Sequence, residues 1–122
     1  MIKSKFIQQW PMFLVGCGHG ATHWVAAVFY ILLPYLIKDL GIAYSEAGVF
    51  VALFHVSSFL TNFASGAVVD MSGRRIRYQT LALLIGAVAL FAFGLSQWYL
   101  FLCAMVVVIG ASNNLWHPAA PQ

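Results

Sequence analysis

Four long apolar stretches, separated only by short polar connections, constrain this chain more than any other feature. They cover about residues 12–37, 47–69, 80–95 and 98–118. A helix needs roughly 20 apolar residues to cross about 30 Å of hydrocarbon, and these stretches reach or approach that length. Backbone in lipid must satisfy its own hydrogen bonds, which selects helices; the alternation of a membrane barrel strand is absent. Only 7% of the 122 residues are charged and 62% are hydrophobic, whereas globular domains carry about 25% charge. The predicted fold is therefore all-α integral membrane, with four transmembrane helices.

The few charges give this bundle a direction. Lys3 and Lys5 precede the first stretch, and Arg74, Arg75 and Arg77 follow the second. The first connection holds Lys38, Asp39 and Glu46 and is net negative, while Ser96-Gln97 in the third carries no charge. The positive-inside rule puts the N-terminus and the arginine loop in the cytoplasm, and the other two connections outside, in a multi-pass protein of the cell's inner (plasma) membrane. A net charge of +3 is then a topology signal and calls for no nucleic-acid partner. Cys17 and Cys103 lie within apolar stretches, which gives a disulfide little support. Leu14-Val15-Gly16-Cys17 after two lysines imitates a lipoprotein signal, but the sequence stays apolar to Ile37, where a cleaved signal hands over to a polar chain.

Polar residues inside the stretches fall on helical faces. Gly16, His19, Gly20, His23, Ala27, Tyr30 and Pro34 recur at three-and-four spacing in the first. His55, Ser58, Asn62, Ser65 and Gly66 do so in the second, and Cys103, Val107, Gly110, Asn114 and His117 in the fourth. Polar groups are costly in hydrocarbon, so such stripes should face protein or water. The third stretch has no comparable stripe and is expected to be peripheral and lipid-facing. Gly16 and Gly20 also form a G-x-x-x-G pair, whose plain reading is close helix packing, and Ser58, Asn62 and Asn114 suit hydrogen bonds between helices. The four histidines carry either a structural hydrogen-bonding role or a functional one, since imidazole gains and loses a proton near neutral pH. His19 and His23 have the spacing of two metal ligands on one helix, but the glutamate of H-E-x-x-H and a nearby third ligand are missing, so no metal and no cofactor is expected.

Residues 66–75 read G-A-V-V-D-M-S-G-R-R. Gly66, Asp70, Gly73, Arg74 and Arg75 resemble the G-x-x-x-D-R-x-G-R-[KR] loop between the second and third helices of the major facilitator superfamily, with Met71 in place of an arginine. The remainder is similar to the fosmidomycin-resistance branch. His19, Thr22, His23 and Leu33-Pro34 match a His-x-x-Asn-Asp pattern followed by proline in its first helix. Residues 110–118, G-A-S-N-N-L-W-H-P, match the small polar run leading to His-Pro-Glu in its fourth. His23 stands where that branch has an acid, and Ala119 where it has glutamate.

The resemblance covers about residues 18–118 and implies the first three-helix repeat plus the fourth helix of a twelve-helix fold. On that basis the chain is expected to be the N-terminal third of a transporter, a fragment that needs the remaining helices to work. The implied function is not enzymatic. It is secondary active transport by alternating access, with proton-coupled export of a small drug-like molecule or metabolite. Gly66, Asp70, Gly73, Arg74 and Arg75 would form a conformational latch, and His19, His23, Asn62, Asn114 and His117 a cavity for substrate and protons. Two other readings fit a four-helix chain. A complete small multidrug exporter relies on a first-helix glutamate, which is missing here. A membrane haem protein would use histidines from different helices as axial ligands.

Overall fold

In a computed structural model the chain is four α-helices joined by tight turns. The structure describes the backbone of residues 2–119 and the side chains of residues 9–116. The helices are α1 (Ile2–Leu40), α2 (Tyr44–Ser72), α3 (Arg75–Leu95) and α4 (Tyr99–Ala119). All four are long and apolar enough to cross a membrane. At 21 residues each, α3 and α4 are about 32 Å long, close to the hydrocarbon thickness. With 39 and 29 residues, α1 and α2 are longer, about 58 and 44 Å.

The helix ends differ from those expected. Lys38 and Asp39 belong to α1, Glu46 to α2, and Arg75 and Arg77 to α3. The ten-residue loop expected at 66–75 is a two-residue turn, because helix runs through Ser72 and resumes at Arg75. Polar side chains at helix ends do not interrupt the backbone ladder, and every residue kept in it satisfies one more pair of polar groups near lipid. What ends α1 and α2 is glycine, whereas α3 ends at Ser96 in extended backbone. Gly73 is left-handed at φ 63° and its N–H donates to the Val69 carbonyl at 3.0 Å; Gly41 is left-handed at φ 66° just past α1. Glu46 accepts a 2.7 Å hydrogen bond from the Ala43 N–H and so caps the start of α2.

α4 is the hub. It packs along α2 and α3, while α1 lies more loosely against α3 and α4. Phe29, Phe50, Phe54 and Phe93 meet Leu102, Val106 and Ile109 in one buried cluster that draws on all four helices. Phe29 stacks on Phe54 with ring centres 5.0 Å apart, and Phe93 meets Phe29 and Phe50 edge-on at 6.1 Å. Each such pair adds about 0.5–1.5 kcal/mol beyond burial, which matters in lipid, where hydrophobicity does not drive helices together. α3 is peripheral on one side only. Ala82, Gly86, Ala89 and Phe93 are buried, whereas Leu84, Val88, Phe91 and Leu95 point outward.

Candidate functional site

Every residue of the α1 stripe, from Gly16 through Pro34, is exposed. The stripe lies on an open side of α1, where His19 and Tyr30 still reach α4 and α2. Its neighbouring face, carrying Thr22 and Phe29, is buried. His19 and His23 sit one turn apart with their Nε2 atoms 3.0 Å apart. A hydrogen bond between two imidazoles needs one ring to donate and the other to accept, so the pair shares one hydrogen. Further contacts hold His19. The Thr22 hydroxyl donates to the His19 carbonyl at 2.7 Å, and the His19 ring packs on Trp116 of α4 at 5.4 Å. Further along, Tyr30 and His55 are joined by a 2.7 Å hydrogen bond between the hydroxyl and Nε2, linking α1 to α2. Pro34 cannot donate to the Tyr30 carbonyl, so a backbone acceptor is released at the same level.

The stripes of α2 and α4 are not open in the same way. His55 and Asn62 are exposed, but Ser58 and Ser65 are buried. The Ser58 hydroxyl donates to the Gly110 carbonyl at 2.8 Å, so this residue makes the interhelical bond its spacing allows. Gly110 is buried against Phe54 and Ser57, and Asn114 is half-buried. α2 and α4 therefore spend much of their stripes on each other, because small residues on both let the backbones approach closely. The side chain of His117 lies outside the described residues. Gly16 and Gly20 make no close packing: space is open where a Cβ would stand, and Gly18 instead lies against Trp116.

At the far end of α2, Asp70 and Arg75 form an ion pair at 3.5 Å across the turn, both side chains largely exposed. Gly73 supplies the left-handed turn that brings Arg74 and Arg75 back beside Asp70. Gly66 is half-buried, with open space around the position of a Cβ.

A void of about 10 Å³ between α1, α3 and α4 is lined by Thr22, Gly86, Ser112 and Asn113. The buried Asn113 Oδ1 has no hydrogen-bond partner among the described residues, and the space is about what one water fills. Three parts of this arrangement escaped sequence reasoning: the Tyr30–His55 pairing, the Trp116 contact and the role of Thr22. The α1 and α2 stripes contain Tyr30 and His55, but spacing fixes a face and not the partner it meets.

Among the described residues no three His, Cys, Asp or Glu side chains come together as a metal site. His19 and His23 share one helix, and His55 is engaged by Tyr30. No protein-family model, curated protein or solved structure matches the chain.

Proposed function

We propose that this chain is the N-terminal part of a secondary transporter of the major facilitator type, exporting a small drug-like molecule or metabolite against protons. The observation that carries this reading is the exposed polar face of α1, with the His19–His23 pair at one level and the Tyr30–His55 link at another. Imidazole and phenol groups on membrane-spanning helices are expensive against lipid, so this face belongs against a water-filled cavity and further helices. A cavity between two halves of a transporter meets that demand.

In this reading His23 and His19 take up and pass on a proton along their shared hydrogen bond. Asn62 and Asn114 offer amides to the substrate, joined by His117. Asp70, with Gly66, Gly73, Arg74 and Arg75, forms the latch against the other half. The excess of arginine and lysine at the Gly73 end supports a cytoplasmic N-terminus and turn in the inner membrane.

The test replaces His23 by glutamine in a transporter containing this sequence with its remaining helices, and follows transport against pH in proteoliposomes. Loss of proton-driven transport, with substrate exchange retained, is expected. Normal uptake with an unchanged pH profile would reduce His23 to a packing residue.

A further inference from the structure

Between the N-terminal half of α1 and the first turns of α3 lies an open crevice of about 690 Å³, within the roughly 300–1,000 Å³ of small-molecule sites. Leu14, Val15, Leu83 and Leu84 make its walls apolar, and Trp116 of α4 closes part of it. Three polar side chains line it, Arg75, Gln79 and Thr80, and the Thr80 hydroxyl is already spent on the Ile76 carbonyl at 3.0 Å. Arg75 stands at the α3 end, and Gln79 lies one turn deeper along the same helix. The Gln79 Nε2 is buried and has no acceptor among the described residues. Arg74, at the N-cap of α3, makes no capping hydrogen bond through its side chain, since a guanidinium offers no acceptor to the first N–H groups of the helix.

We propose that this crevice holds an acyl chain of an anionic phospholipid, with the phosphate at Arg75 and the α3 N-terminus. The slot is cut into helices that face hydrocarbon, and an apolar slot at that depth is filled more favourably by a lipid chain than by water. Arg74, Arg75 and Arg77 outnumber Asp70, so the head group that fits is anionic; the ammonium of a zwitterionic one would meet the same arginines. The Asp70–Arg75 pair is exposed on both sides, a geometry of little strength, and it leaves guanidinium donors for a phosphate oxygen. Gln79 lies about 6 Å deeper than Arg75, the level at which glycerol ester carbonyls follow the phosphate, and a rotation of its amide offers them the unused donor. The site requires neither an orientation in the membrane nor any transport step.

The test uses Trp116 as its reporter. The full chain carrying Trp10→Phe, Trp24→Phe and Trp98→Phe is reconstituted in phosphatidylcholine vesicles containing a minor share of phosphatidylglycerol, with bromine on the acyl chains of one lipid or the other. Brominated phosphatidylglycerol should quench Trp116 roughly five-fold more per molecule than brominated phosphatidylcholine, the gain from one added cationic contact at a membrane surface. Arg75→Gln should bring the two lipids to parity. Equal quenching by both lipids with Arg75 in place overturns the proposal. Absence of quenching by either also overturns it, because the crevice is then filled by another protein segment. Loss of the preference on adding inorganic phosphate identifies a soluble anion as the ligand and likewise overturns it. If the tryptophan replacements or Arg75→Gln prevent folding, native mass spectrometry of the unaltered chain with the two lipids makes the same comparison.

Discussion

The seam between α2 and α4 sets a measurable limit on how close two of these helices can come. A Cβ at Gly110 would collide with the Ser57 hydroxyl and with the Phe54 carbonyl, and the second of these is backbone in mid-helix. The Phe54 carbonyl cannot withdraw without moving α2, so Gly110→Ala should incur the overpacking cost of about 1–3 kcal/mol. Alanine recovers up to about 1 kcal/mol of helix propensity, leaving a net loss of about 0–2 kcal/mol. The same exchange at Gly86 meets chiefly the Ser112 hydroxyl at 2.8 Å. That group can rotate, though it gives up its 2.9 Å hydrogen bond to the Ile109 carbonyl, so the loss there should be smaller than at Gly110. At Gly48 and Gly94 nothing lies within 4 Å, and alanine should be neutral or stabilising. The four variants are compared by unfolding in mixed micelles with rising dodecyl sulfate, followed by helical ellipticity. A Gly110→Ala protein as resistant as Gly48→Ala would refute the close approach of α2 and α4.

Gly73→Ala should cost about 1–2 kcal/mol in the same assay, since its φ of 63° is left-handed and a Cβ is penalised there. A cysteine placed at Ser72, with Cys17 and Cys103 replaced, should react with an impermeant thiol reagent only from the cytoplasmic side; labelling from outside intact cells would reverse the proposed topology. Asp70→Asn should change micelle stability by less than about 1 kcal/mol, because its pair with Arg75 is exposed, yet should lower transport in a protein that includes the remaining helices. Transport at the wild-type level would remove the latch role.

The existence of four membrane-length helices was legible because lipid makes a simple demand, a long apolar run, and residues such as those from 80 to 95 meet it without ambiguity. The ends were less legible. Arg75 and Arg77 have loop-like chemistry, but the hydrogen-bond ladder runs through them, and it is left-handed Gly41 and Gly73 that stop α1 and α2. Faces could be read from spacing, as the wholly exposed α1 stripe shows. Neighbours could not. Phe29 and Phe54 are buried while Phe63 and Phe91 are exposed, and in an apolar solvent nothing about the residue type separates the two groups. For the same reason the sequence offered Gly16 and Gly20 as a packing pair, when the close contacts are made at Gly18, Gly86 and Gly110.

The position of α4 as the hub has a consequence for how the protein is made. Ribosomal synthesis delivers α1, α2 and α3 to the membrane before the helix that α2 and α3 chiefly pack against, and those two touch each other only slightly. Until α4 emerges, Ser58 lacks the carbonyl it bonds, and Phe50, Phe54 and Phe93 lack the leucine and valine that fill the space between them. The first three helices are thus an assembly in waiting. Their exposure to membrane quality control should be set by the time between insertion of α3 and arrival of α4, which the short Ser96-Gln97-Trp98 connection keeps brief.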